Sequence, residues 1–302
     1  MKMEGMYMKL KLALLALTVS GLCLAQPTPS FGPADLDRLV QPVALYPDPL
    51  LAQVLSAATF ADEIPDADHW ANQHHYLTGA AMARAITEDQ LPWDPSVQAL
   101  LPFPGVLDRM NADLNWTTQL GNAVLVQRQD VMDAVQRMRD ASMRYGYLRT
   151  GPRVVVVRNG PFITIMPVNP DFIYVPYYDP AIVFVAPRPG FVIGGAISFG
   201  FGFNLGVAFQ PWGWGAVRFD WAAHGWYVHN AIWGRTWANR TTYVHNYPGL
   251  QQRFDKPGGL RPAGGGPAAA PHAEGHKLIE RSDKEKAADK GAKPAREEHR
   301  ER

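Results

Sequence analysis

The stretch LYPDPLLAQVLSAATF, residues 45–60, joins a helix start to a helical repeat of apolar residues. Asp48 can accept hydrogen bonds from the first exposed backbone N–H groups of a helix, and Pro49 presets the helical φ at the next position. The apolar side chains that follow fall on one stripe: Leu50, Leu51, Val54, Leu55 and Ala58. The stretch therefore predicts a helix that buries one face against a core.

The same pattern recurs further along the chain. Residues 93–110, WDPSVQALLPFPGVLDRM, begin with an Asp-Pro pair at Asp94. Residues 130–146, DVMDAVQRMRDASMRYG, carry apolar residues at three- and four-residue spacing and close on Gly146. Glycine is suited to the left-handed conformation that ends many helices. We therefore expect an all-helical domain over residues 33–150.

After these helices the period of the apolar residues changes to two. Residues 153–168, RVVVVRNGPFITIMPV, predict a β-hairpin in which Asn159 and Gly160 form a type I′ turn, and residues 171–180 predict a third strand. The prolines in these strands lack the N–H group that a central strand needs. We therefore expect a small antiparallel β meander with exposed edges over residues 151–187, which makes the fold class α+β.

Four blocks of sequence, in this order, resemble a bacterial family of secreted proteins known as domain of unknown function 3300. They are residues 39–60, 93–110, 130–139 and 162–184. The resemblance implies an exported protein of a Gram-negative bacterium, often with a Gly-rich and aromatic or Asn-rich segment after the shared domain. It implies no activity and transfers no catalytic residue. One departure is Pro65, which interrupts an expected helix unless it lies in the first turn.

The first residues predict export. Three lysines precede the apolar run LALLALTVSGLCLA, residues 12–25, which is too short for a membrane span of about 20 residues. This layout is typical of a secretory signal peptide over residues 1–25, cleaved after Ala25. Leu22 stands before Cys23, the only cysteine, where lipid attachment would need a small residue. We therefore expect a cysteine-free, exported mature protein. The resemblance implies that its compartment is the periplasm or envelope of a Gram-negative bacterium.

The composition describes a globular chain with a polar tail. The 302 residues are 47% hydrophobic and 19% charged, with a net charge of +1. Residues 1–25 contribute +2, which leaves −1 on the remainder. Because no strongly basic patch is present, we expect no nucleic-acid partner. Residues 251–302 combine a Gly-, Pro- and Ala-rich stretch with dense mixed charge, so we expect a disordered tail.

Between Arg188 and Arg218 the chain carries no ionisable side chain. As a helix, GFVIGGAISFGFGFNLGVAF, residues 190–209, would place a small residue at every fourth position, as in packed membrane helices, and would span one bilayer core. As a strand, it would alternate large apolar residues with small ones and would need a hairpin bend. Burial within a soluble protein is a third interpretation, because its glycines weaken membrane insertion. The residues leave the three open.

The next segment, residues 211–237, holds six of the nine tryptophans. Tryptophan is enriched where one end of the ring is dry and the other is wet. Three interpretations fit this composition: an interfacial belt beside residues 189–217, a stacking surface for glycans, and a core filled by aromatic rings. The glycan interpretation makes a ligand-binding platform of Trp212, Trp214, Trp221 and Trp226.

Two clusters contain titratable side chains. The first could bind Zn²⁺, although a five-residue step does not place two histidines on one helical face; its members are Asp220, His224, His229 and His245. The second could supply a general acid and base, although charge complementation of a helix N-terminus explains it more simply; its members are Asp62, Glu63, Asp66, Asp68 and His69. We predict no metal site, no catalytic residue and no cofactor.

These patterns favour an exported, non-enzymatic protein of the cell envelope. Residues 190–240 would contact a membrane or an envelope partner. The alternative is a module that binds peptidoglycan or another glycan through the tryptophans. A hydrolase that uses Asp62, Glu63 or His69 is the hypothesis with the least support.

Overall fold

In the computed structural model, which describes residues 28–187, 194–245, 247 and 250, the first half of the chain is helical. The predicted signal peptide and the predicted tail lie outside the described residues. A 3₁₀ turn, Ala61–Glu63, precedes the third helix. The helices are α1 Pro33–Val40, α2 Asp48–Ala58, α3 Ile64–Gln73, α4 Gly79–Glu88, α5 Pro95–Gln98, α6 Pro104–Ala112 and α7 Leu114–Arg144.

The ends of these helices confirm most of the predicted signals. The Asp94 carboxylate accepts the Ser96 N–H at 2.8 Å before α5, and Pro65 lies in the first turn of α3. Gly146 follows α7 with a φ of +78°, as a glycine stop requires. The prediction that the Asp48 side chain caps α2 is wrong. Asp48 is the first helical residue, and its carboxylate bonds to groups far away in the sequence.

The predicted β-hairpin is confirmed, but its turn lies one residue later. Strands β1 (Val154–Asn159) and β2 (Phe162–Pro167) pair antiparallel, with Gly160 and Pro161 between them. A type I′ turn needs positive φ at both central residues, which proline cannot adopt. Only Gly160 has a positive φ, +59°, so the turn has the glycine-first pattern of type II′.

The third strand does not complete a meander. Strand β3 (Phe172–Tyr178) pairs antiparallel with β4 (Ile197–Asn204), in a sheet separate from β1 and β2. The glycines of β4 explain this choice of partner. A Cβ on Gly202 would lie 2.6 Å from the Tyr174 ring, so the absence of a side chain there makes room for that ring. Over residues 197–204 the uncharged segment is therefore a strand.

The remaining elements complete an α+β fold. Helix α8 (Pro180–Val183) follows β3, and a 3₁₀ helix (Gly206–Trp212) follows β4. A three-stranded antiparallel sheet is then formed by β5 (Arg218–Asp220), β6 (Gly225–Val228) and β7 (Ala231–Ile232). Among the described residues, no helix combines the length and apolar character needed to cross a bilayer.

One cluster of buried side chains extends from the helices into the tryptophan-rich region, so these parts share a core. The contact between α2 and α7 within it is unusually close. A Cβ built on Gly121 of α7 would lie 2.0 Å from the backbone oxygen of Ala58. Only glycine allows the two helix backbones to approach this closely.

A buried ion pair joins the helices, the hairpin and the tryptophan-rich region. Arg139 of α7 has no solvent exposure, and its Nη1 lies 2.6 Å from Oδ1 of Asp48. The other Asp48 oxygen accepts the indole N–H of Trp221 at 3.2 Å, and the Trp221 ring lies 4.9 Å from the Arg139 guanidinium carbon. Arg139 also donates to three carbonyls, those of Ala44, Tyr46 and Ile163. Each of the three guanidinium nitrogens therefore donates at least one hydrogen bond inside the core.

The change Gly121→Ala should lower the free energy of unfolding by about 3 kcal/mol, because the new methyl group must push α2 away from α7. Chemical denaturation of both proteins measures the difference. Gly151→Ala is the matched control, since a Cβ at Gly151 meets no heavy atom within 4 Å and its change should stay within about 0.5 kcal/mol. Equal stability of the two variants would contradict the close helix contact.

The change Asp48→Asn should lower the free energy of unfolding by about 3–5 kcal/mol, because it leaves the Arg139 charge buried without its counterion. Asp37→Asn removes a partner of Arg137 that is paired at 2.7 Å near the surface, and it should cost less than about 1 kcal/mol. Urea denaturation at neutral pH distinguishes the two. A cost for Asp48→Asn as small as that for Asp37→Asn would show that Arg139 does not depend on Asp48.

Candidate functional site

The four tryptophans predicted as a glycan platform lie in the core. Their ring faces are buried against the helices rather than presented to solvent. Their indole N–H groups donate to Oε1 of Gln98 (Trp212), the carbonyl of Ala99 (Trp214), Oδ2 of Asp48 (Trp221) and Oγ of Ser56 (Trp226). A stacking platform needs exposed rings, so this placement corrects the expectation of a surface platform. The aromatic-core interpretation is the one that the structure supports.

The acidic cluster near α3 does not converge on one point. His69 bonds to Gln73, whereas Asp68 accepts from Asn72 and Asn111. Asp66 lies in the first turn of α3, where a negative charge complements the exposed N–H groups. The geometry therefore favours the structural interpretation of this cluster over a general acid and base pair.

One member of that cluster, Glu63, takes part in a half-buried polar network. Its Oε2 accepts the Asp94 N–H at 2.7 Å. Burial raises the pKa of Glu63 to about 8 and also raises the pKa of Asp94, because water is removed from the charged forms. Arg235 lies nearby: it donates to the Thr59 carbonyl at 2.7 Å, and its charge offsets part of the rise in the Glu63 pKa.

The histidines of the second cluster are also separated. His224 lies 3.0 Å from a carboxylate oxygen of Asp133, and His229 bonds to the Gln210 carbonyl at 2.7 Å. His245 bonds to Tyr243, and burial lowers its pKa to about 4, so that it is neutral at pH 7. In the part of the chain that the structure describes, no three His, Cys, Asp or Glu side chains are placed to hold a metal ion.

The uncharged segment contributes two exposed apolar side chains, which together we call the Phe201 surface. It consists of Phe201 in β4 and Val207 in the following 3₁₀ helix, whose side chains are 94% and 78% exposed. The pairing of β3 with β4 shifts by one residue between Tyr174 and Pro176, so that β4 carries an extra residue at this point. Such a bulge turns a side chain away from the face that its neighbours share. It explains why Phe201 points into solvent.

A second feature was not anticipated from the sequence. The loop after α7 and strands β1, β2 and β4 enclose a cavity of about 230 Å³, which we call the Leu148 cavity. Arg149 and Arg153 line it together with apolar side chains. The available signal was a pair of arginines on either side of Gly151 and Pro152, directly after a helix end.

The buried network of Glu63 should make stability depend on pH. Its pKa lies above the ordinary value of 4.5, so the folded protein keeps a proton that the unfolded chain releases between pH 4.5 and 8. The contribution of Glu63 to stability should therefore fall as pH rises through this window, by at most about 1.4 kcal/mol per pH unit. His245, whose pKa is lowered to about 4, contributes a change of the opposite sign between pH 4 and 6.5. Glu63→Gln should remove only the Glu63 contribution, so the slope of stability against pH should become more positive.

Unfolding midpoints measured from pH 4.5 to 8 test this expectation. Glu88→Gln, which changes an exposed carboxylate at the end of α4, is the matched control and should leave the slope as in the unmodified protein. The same slope in Glu63→Gln and in the unmodified protein would contradict the burial of an ionisable Glu63.

Comparisons with known proteins agree with the resemblance noted in the sequence. A family model described as "Protein of unknown function (DUF3300)" matches residues 32–253, which include the tryptophan-rich region. The uncharacterized protein YacH of Escherichia coli strain K12 is 32% identical over 223 residues, covering 59% of this chain and 36% of that protein. The chain thus spans little more than a third of the length of this curated relative. No solved structure matches this chain. The chain belongs to the DUF3300 family.

Proposed function

We propose that this chain is an exported, non-enzymatic protein of the cell envelope that attaches to an apolar surface, a membrane or an envelope partner, through the Phe201 surface. The pattern of residues 1–25 supports export. The separate hydrogen-bonding arrangements of the titratable side chains support a role without catalysis; these side chains are Glu63, His69, His224, His229 and His245.

The observation that carries this proposal is the near-complete exposure of Phe201. Burying an exposed phenylalanine side chain is favourable by about 1.5–3 kcal/mol, so Phe201 can stabilise a complex with a partner that covers it. Val207 adds a second apolar group from the same segment. No ionisable side chain lies between Arg188 and Arg218, so a partner could cover this segment without removing water from one of its charges. The bulge in β4 makes the exposure a property of the fold.

Flotation with phosphatidylethanolamine and phosphatidylglycerol vesicles, and with isolated cell envelopes, tests the proposal. The purified protein should float with vesicles if the surface contacts lipid, or only with envelopes if it contacts a protein or glycan there. The double change Phe201→Ser and Val207→Ser should reduce the bound fraction by at least about tenfold, because two buried apolar contacts are lost.

A matched control separates this contact from general surface hydrophobicity. Val157→Ser and Val168→Ser remove two exposed apolar side chains on and beside the β1–β2 hairpin, and binding should be retained. The proposal fails if the unmodified protein stays unbound in both assays, or if the two double variants behave alike.

A further inference from the structure

The Leu148 cavity has an apolar floor. Five of its lining side chains are buried and belong to a second apolar cluster, apart from the main core: Leu45, Tyr147, Leu148, Val154 and Ile165. Ile197 and Phe199 of β4 form part of the same wall. A ligand that enters this space would contact aliphatic and aromatic side chains on this floor.

The rim of the cavity carries positive charge. Arg149 and Arg153 are exposed, and both line the cavity. The ion pairs found among the described residues all involve other side chains. The guanidinium carbon of Arg153 lies 5.5 Å from the Tyr174 ring centroid, which steadies one of the two groups without neutralising it. Two arginines at an apolar mouth favour an anion at the entrance.

We propose that the Leu148 cavity binds an amphipathic anion: an aliphatic chain in the cavity and a carboxylate or phosphate head between Arg149 and Arg153. Arginine forms charge-assisted, often bidentate hydrogen bonds with both kinds of head group. The cavity volume is about 230 Å³. One water molecule occupies about 30 Å³ in the liquid, so the cavity has room for roughly seven or eight groups of that size. A methylene group is of similar size, so a chain of roughly eight carbons fills the site.

Calorimetric titration of the purified protein with sodium octanoate tests this proposal. Octanoate should bind, butanoate should bind more weakly by about fourfold for each missing methylene, and neutral octanol should bind at least about tenfold more weakly than octanoate. Octyl phosphate identifies the natural head group: tighter binding than octanoate indicates a phosphate such as that of a lipid, and weaker binding indicates a free carboxylic acid.

Three variants separate the two parts of the site. The double change Arg149→Gln and Arg153→Gln should remove the preference for octanoate over octanol, whereas Arg84→Gln, an exposed arginine on α4, should leave it unchanged. Ile197→Trp should fill the cavity and weaken both ligands. Retained folding is verified by circular dichroism and by an unchanged unfolding midpoint.

The Phe201→Ser and Val207→Ser protein should bind octanoate as the unmodified protein does, since the Leu148 cavity does not depend on the Phe201 surface. The proposal is overturned if the unmodified protein shows no heat of binding with millimolar octanoate or octyl phosphate. It is also overturned if Ile197→Trp and the double arginine variant, both folded, bind octanoate as tightly as the unmodified protein.

Discussion

A buried arginine needs a counterion and hydrogen-bond acceptors for its nitrogens, and this requirement organises the fold around Arg139. Helix α2 supplies Asp48, the turn before it supplies two carbonyls, and β2 supplies a third. Trp221 covers the guanidinium and donates to the same carboxylate. Because an unpaired charge in the core would be costly, these elements have one arrangement that satisfies all of them together. The ion pair thus specifies how the elements are arranged around it.

Local patterns predicted the elements better than the contacts between them. The Asp-Pro pair at Asp94 starts a helix as its sequence indicates, since its cap bond reaches only two residues along the chain. Asp48 stands in the same local pattern, yet its partner Arg139 lies 91 residues away, and the ion pair outcompetes the cap. One signal was present: Arg139 follows Val135 by four residues and so falls on the buried stripe of α7.

The candidate surfaces were predictable to different degrees. Composition identified the tryptophan-rich region but could not distinguish a buried core from an exposed platform. The difference depends on buried acceptors for the indole N–H groups, and these acceptors belong to residues far away in the sequence, such as Gln98 and Ser56. The alternation of large and small residues indicated a strand as one of three interpretations of the uncharged segment, and β4 confirms the strand over residues 197–204. The exposure of Phe201 depends on a one-residue shift in the pairing of β4 with β3. The sequence of a strand does not indicate the register in which it pairs with another strand.

The hydrogen bonds of the tryptophans span long stretches of chain. Trp212, Trp214 and Trp226 reach back 114, 115 and 170 residues to their partners on the helices. Contacts at such separations form only after large loops close, which slows folding and places these steps late. A nascent chain that ends before Trp212 therefore lacks the groups that close its helical core. The helices reach their final packing only when the last third of the described chain has been synthesised.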